Sequence, residues 1–537
     1  MRKRRQARAG AGEGRGLLLA LLSALLLILA QPPFRFLLLP FVALIPLVTA
    51  LGALTPGPTS GRAAARLALA FGVLHWGILL IWVPLVVGPQ FPWAFPGYGV
   101  QVGLLGGLAA LMGWATHRLH RGAGLPLPLA FALAWVSMEC LKAHFPLGLS
   151  FPWLGLGLSL TSWPELLGLA EWTGEGGVSF WLATVNGLLA SGVLRALVRS
   201  RGPGALGRWW HPALFAVGVG VLPAILGATR AGTLPLRPGP TVAVVGTNVP
   251  RTLRLRPEES SAKGLAQARE ILRALGHGSV DLVVLPEATV SVSLDGEEGR
   301  GYLGALREMV HAVGAPILVG ALGAEPEDPD GSGEVLTPLT NSAFLVGLDG
   351  SLEARYDKVR LVPGMEWGGF LAGPPGGRIA VDGYTFGPLI CYESLFGDLA
   401  RARRLAGAEV LVNLTSDVWF GEGTRGLSAV FLYQHAAHLV MRAVETRAGV
   451  ARAANGGFSL LLDPLGKPVT TIVPPTGGFA LAPIPVTGEL TLFSRTGDLV
   501  GPGATLFCVL FIGSLAFRDR RSRRPRDPPW EASSAGV

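Results

Sequence analysis

The chain has 537 residues, of which 50% are hydrophobic and only 15% charged, with a mean hydropathy of +0.46. That composition excludes an ordinary soluble enzyme and indicates a membrane protein carrying a soluble part. The formal charge is +9, but its arginine clusters lie at the chain ends and between apolar spans, which argues against nucleic acid as a partner.

In chain order, Met1–Arg5 and the leucine run Leu17–Leu29 form a basic start and an apolar stretch with no clear small-residue cleavage site, so they read as an uncleaved first helix. Eight spans are expected, at 16–31, 35–54, 64–87, 98–116, 125–143, 177–198, 211–229 and 498–517. The first cluster, Arg62/Arg66, Arg118/Arg121, Arg195/Arg199/Arg201/Arg208 and the tail Arg518–Arg526 then fall on one side. By the positive-inside rule that side is the cytoplasm, and the long segment before the last span lies outside it. The outer loop 144–176 carries Phe151-Pro-Trp-Leu154, Trp163 and Trp172. These aromatics read either as anchors at the headgroup level or as the lining of a lipid access path.

From about 238 the texture becomes that of a layered α/β domain. Strands are expected at 241–245, 280–285, 315–321, 341–348, 389–390, 410–414, 448–453, 459–463 and 479–482, and helices at 257–275, 301–313 and 426–446, with a polar loop at 325–334. The expected domains are 1–230 (seven spans), 238–487 (soluble), 498–517 (last span) and 518–537 (basic tail).

Three polar groups stand at element ends in the soluble domain. Glu287 follows the apolar strand ending at Leu285, Lys358 lies in Arg355–Pro363, and Cys391 ends the run Pro388-Leu-Ile390. A thiol at a strand tip can attack an acyl carbon, a poorly solvated carboxylate can serve as its base, and an ammonium with backbone N–H groups can hold the resulting oxyanion. Singly, each has a plainer reading: Glu287 as a helix N-cap, Lys358 as a surface charge, Cys391 as core packing. The other cysteines, Cys140 and Cys508, lie in apolar segments and offer Cys391 no disulfide partner in its own domain. No Cys/His spacing suggests a metal, and no glycine-rich fingerprint suggests a nucleotide.

Leu285-Pro-Glu287, Tyr356-Asp-Lys358 with Leu361-Val-Pro363, and Cys391-Tyr-Glu393 resemble the Glu-Lys-Cys signatures of the nitrilase (carbon–nitrogen hydrolase) superfamily. Thr415–Gly421 is similar to the segment that follows the nucleophile strand there. With spans before and after this domain, and with Phe151–Leu154 and Thr496-Gly-Asp498, the whole chain resembles the superfamily's membrane-bound apolipoprotein N-acyltransferase family. The resemblance implies a multi-pass helical domain joined to a four-layer α-β-β-α sandwich. It also implies Glu287 as base, Lys358 as stabiliser of the tetrahedral intermediate and Cys391 as nucleophile. Glu366 would support the lysine, Tyr392 would supply an oxyanion N–H, and Glu393 would brace the turn. No cofactor is implied. The implied donor is a phospholipid such as phosphatidylethanolamine, the acceptor a diacylglyceryl apolipoprotein, and the site the outer face of a bacterial inner membrane. Gly246–Pro250, Leu255, the loop before Glu366 and Ser416 depart from the family's usual pattern, which bears on the loops that meet substrate. The alternatives are a membrane-tethered amidase using water as acceptor, and a non-catalytic lipoprotein-binding relative.

Overall fold

The computed structural model describes residues 2–522 except 90, 147–148, 200–209, 254–255, 279, 325–338 and 422–425. Arg201 and Arg208, Leu255, the polar loop 325–334 and the tail beyond 522 therefore lie outside the described residues.

Among the described residues, five helices are long and apolar enough to cross a membrane: Ser60–Val87, Ala94–Gly122, Ala170–Leu197, Leu214–Thr233 and Val500–Arg518. The apolar helices Gly14–Ala30 and Leu39–Gly52 are shorter, and Leu127–Ala143 has 17 residues. The eight expected spans thus correspond to five of spanning length and three shorter segments. The second is not one helix but two, Leu39–Val42 and Ile45–Gly52, each with a proline in its first turn, because Pro40 and Pro46 lack the N–H a continuous helix needs.

Small residues let the bundle close. A Cβ on Gly113 would lie 2.4 Å from the Ala68 Cβ, and one on Gly72 would lie 2.6 Å from that of Ala109. Helices Ser60–Leu79 and Ala94–His117 therefore approach backbone to backbone, the usual solution where lipid removes the hydrophobic drive.

The α/β domain contains two sheets. One orders its strands 478–483, 241–246, 282–284, 317–324, 339–346, 352–357, and the other 468–472, 459–462, 449–455, 410–416, 384–390, 379–381. The period-two alternation of Val242–Val245 sends Val242 and Val244 between the sheets, against Phe386, Val412 and Ala453. Ala243 and Val245 face outward, onto Leu265, Ala268 and Leu272. Helix Pro257–Leu275 starts with proline and Glu258/Glu259 and stops at Gly276; helix Arg300–Val313 stops at Gly314, whose φ of +74° suits glycine. These two helices cover the first sheet; Gly397–Leu405 and Gly426–Thr446 cover the second, completing α-β-β-α.

The strand Leu352–Asp357 was not expected from the sequence, because Glu353 and Arg355 give it a polar outer edge. Strands Val290–Ser293, Phe370–Leu371, Ile379–Val381 and Pro468–Ile472 were missed as well, being short or exposed.

Helix Gly426–Thr446 joins the two halves, with one face on the second sheet and the other on the bundle. Its charged residues continue into the bundle: Arg442 pairs with Glu175 at 2.9 Å, and Arg447, just past its end, with Glu171 at 2.8 Å.

Candidate active site

The carboxyl ends of strands in both sheets deliver the chemistry to one place, as in open α/β sheets. Strand 282–284 leads to Glu287, strand 384–390 ends at Cys391, and strand 352–357 hands on to Lys358. Glu287 caps no helix; the chain after it enters strand Val290–Ser293. Lys358 is fully buried, so the surface-charge reading falls.

Lys358 Nζ donates to Glu366 Oε1 at 2.8 Å and approaches Glu287 Oε1 at 3.5 Å. The Asn341 amide bridges both carboxylates, donating to Glu287 Oε1 at 2.8 Å and to Glu366 Oε1 at 2.9 Å. Ser416 N–H holds the other Glu287 oxygen at 2.8 Å, and Val362 N–H the other Glu366 oxygen at 2.6 Å. Burial alone would lower the Lys358 pKa, but Glu366, then Glu287 and Cys391, raise it, so the ammonium stays charged. Close backbone packing fixes Glu287 from below: a Cβ on Gly320 would come within 2.5 Å of the Glu287 Cα.

Cys391 adopts φ +50°, a left-handed conformation that strains a residue with a Cβ. Burial raises its thiol pKa; Glu287 adds to this and Lys358 opposes it. The resting group is therefore a thiol that must lose its proton as it attacks. Glu393 accepts from Ile390 N–H and Val359 N–H at 2.7 Å, Arg360 N–H at 3.1 Å and Tyr356 O–H at 2.8 Å. One carboxylate thus ties the nucleophile turn to the lysine segment. The Tyr392 hydroxyl donates to the Ser150 carbonyl at 2.7 Å, anchoring the turn to the bundle's loop 144–176.

Cys391 opens on a cavity of about 410 Å³ lined by residues of both the bundle and the α/β domain, among them the aromatics Trp82, Tyr98, Phe151, Trp153, Phe420 and Phe431. Trp153 is buried, stacks on Phe431 with centroids 5.5 Å apart, and donates from Nε1 to Gln434 Oε1 at 2.9 Å. Of the aromatics in loop 144–176, Phe151 and Trp153 line the space in front of the thiol, while Trp172 is 42% exposed.

The structure brings all six expected residues, Glu287, Lys358, Glu366, Cys391, Tyr392 and Glu393, into one neighbourhood. Sequence reasoning passed over Asn341, Asn413, His435 and Arg452. Their signal was a buried polar residue inside an apolar strand or helix, legible for Asn341 in Leu339–Val346 and for Asn413 in Val410–Ser416.

A family model described as the apolipoprotein N-acyltransferase N-terminal domain matches residues 23–188. A carbon-nitrogen hydrolase model matches 241–486. An apolipoprotein N-acyltransferase of Geobacter metallireducens is 30% identical, covering 84% of this chain and 86% of its own. One from Ralstonia nicotianae is 32% identical over 76% of each. A solved amidase from Nesterenkonia sp. aligns with 48% of this chain and 94% of its own at 21% identity and a TM-score of 0.35. With both domains matched in order and a relative of that identity spanning most of both chains, the chain belongs to the apolipoprotein N-acyltransferase family.

Proposed function

We propose that this membrane enzyme moves an acyl chain from a phospholipid, with phosphatidylethanolamine the expected donor, through a thioester on Cys391 to the α-amine of a lipoprotein's diacylglyceryl-cysteine. Residues 1–230 and 498–517 form its membrane domain and 238–487 its catalytic domain. That domain faces the periplasm from the inner membrane, with both termini cytoplasmic, which the distribution of arginines supports.

In the first half-reaction Glu287 takes the Cys391 thiol proton and the thiolate adds to the ester carbonyl. The ammonium of Lys358 and the N–H of Tyr392 stabilise the oxyanion. Collapse breaks the ester C–O bond, and the leaving glycerol oxygen takes the proton from Glu287, giving a lysophospholipid. In the second half the neutral amine adds to the thioester, Glu287 accepts its proton, the C–S bond breaks, and the proton returns to sulfur. Glu366 keeps Lys358 charged and in place; Glu393 holds the turn.

The observation that carries the reading is a strained thiol beside a buried Lys–Glu pair, opening on an aromatic cavity that the bundle helps to form. Water as the final acceptor would not call for such a cavity. Intact-mass measurement after incubation with phosphatidylethanolamine tests it. A hydroxylamine-labile acyl adduct is expected on the wild type and absent from Cys391→Ala. No adduct on folded wild-type protein would overturn the phospholipid-donor step.

A further inference from the structure

The six residues above leave one question open: what keeps Cys391 at positive φ. The Cys391 carbonyl is where the surrounding domain takes hold of this turn. Three side chains meet this oxygen. The Ser394 hydroxyl donates to it at 3.0 Å, His435 Nε2 lies 3.2 Å away, and Asn413 Nδ2 lies at 3.5 Å.

His435 is 1% exposed and is itself held from behind. Its Nδ1 meets Asp417 Oδ1 at 3.0 Å. The fully buried Asp417 also accepts from Thr415 Oγ1 at 3.0 Å and from Arg452 Nη2 at 2.6 Å. Arg452 in turn donates from Nη1 to Asn413 Oδ1 at 2.6 Å. Arg452 thus reaches the Cys391 carbonyl by two routes, through Asn413 and through Asp417 and His435. Nδ1 also lies 3.3 Å from Arg452 Nη2, and Nε2 lies 3.2 Å from the Ser394 hydroxyl; the ring form that serves the Cys391 carbonyl is one with its N–H on Nε2.

We infer that His435, fixed by Asp417 and Arg452, is a positioning residue for the acyl-transfer reaction: it binds the Cys391 carbonyl and so holds the nucleophile's backbone in the strained conformation that aims its sulfur. The energetic reason is that a left-handed non-glycine residue relaxes unless surrounding bonds over-determine it. A donor to the carbonyl is such a bond, and one that is buried and fixed from behind keeps its geometry where a donor reaching in from water would not. His435 also borders the cavity in front of Cys391, but its ring nitrogens meet the Cys391 carbonyl, Ser394, Asp417 and Arg452 rather than the sulfur. Its effect runs through the backbone.

This inference rests on the acyltransferase reading, so the test includes a measurement that does not. In detergent-solubilised full-length protein, the rate at which iodoacetamide alkylates Cys391, followed on the Cys391 peptide by mass spectrometry, reports sulfur presentation without any lipid. His435→Ala is expected to slow both this alkylation and acyl-enzyme formation by about tenfold, the size of one lost hydrogen bond, with KM for the phospholipid little changed. His435→Gln, which keeps a side-chain N–H, is expected to recover most of both rates. Equal alkylation rates in wild type, Ala and Gln variants overturn the inference. So does equal slowing in Ala and Gln with matching losses in thermal stability, the outcome of a merely structural histidine. If His435→Ala proves unfolded, His435→Phe, which fills the space without an N–H, takes its place: alkylation and kcat equal to wild type in folded His435→Phe overturn the inference. Slowed alkylation in a protein that never forms an acyl adduct would uphold the positioning role while sinking the phospholipid-donor reading.

Discussion

The two outer helical layers of the catalytic sandwich are built for different neighbours. On the first sheet, helices Pro257–Leu275 and Arg300–Val313 present one apolar stripe inward, with Leu265, Leu272, Leu306 and Val310 buried, and leave charges such as Arg269 and Glu308 in water. On the second sheet, helix Gly426–Thr446 is buried on nearly every side and carries Gln434, His435, His438, Arg442 and Glu445 inside. The difference lies in what replaces water. Where the bundle covers the sheet, the helix's charged groups find partners within protein, so charge pairs take over from solvation. Beside these pairs, a cavity of about 390 Å³ is lined by Glu139, Lys142, Glu175, Arg442 and Glu445. The solvent-facing side is held by apolar area; the bundle-facing side is held by apolar area plus obligatory ion pairs.

Breaking an obligatory pair should have the largest effect. Arg447→Ala leaves Glu171 buried with, among the described residues, Arg230 at 3.2 Å as its remaining ion-pair partner. The expected loss is about 3–4 kcal/mol, read as a fall in the unfolding midpoint of detergent-solubilised protein. A midpoint within a degree of wild type would mean that the pair is not needed to dock the domain.

The bundle side should also respond to pH. Burial raises the Glu445 pKa from its ordinary 4.5 to about 7; Arg442 opposes the shift and Glu175 adds to it. Between those two values the folded chain binds more protons than the unfolded one. Stability therefore falls as pH rises through that window, by roughly 3 kcal/mol in all. Denaturation midpoints measured across the window should show this slope in the wild type and a flatter line in Glu445→Gln.

On the solvent side, Leu272→Ala removes a side chain that is 3% exposed and should cost about 2–3 kcal/mol through the cavity left behind. Its loss should be independent of pH over the same window, which separates the two layers. The smallest effect belongs to Arg269→Ala. Its partner Glu308 is 72% exposed, so the change in midpoint should correspond to less than about 0.5 kcal/mol.

How much of this was legible in the sequence differs by element. Glu287 and Cys391 stood out because each follows a short apolar run, and a reactive group placed at a strand end is a local pattern; Lys358 was legible through the resemblance of Tyr356-Asp-Lys358 to the family signature. Helices 257–275 and 426–446 were readable from their length and termini. Strand Leu352–Asp357 was not, since its alternating charges gain their sheet character only from pairing with Leu339–Val346. His435 could be read as one residue of a helix and no more, because its partners Asp417 and Arg452 come from other elements.

By itself the sequence determined the division into an apolar helical part and an α/β part, and the order in which the three reactive groups arrive. Those features rest on composition and on periods of a few residues, which act locally. The tertiary structure alone decided which carboxylate meets which cation, that Asn341 bridges Glu287 and Glu366, and that the Cys391 carbonyl is held from inside. Arg447 and Glu171 are separated by 276 positions along the chain. Nothing in either's neighbours encodes the other; packing two domains together, and excluding water between them, makes that contact obligatory.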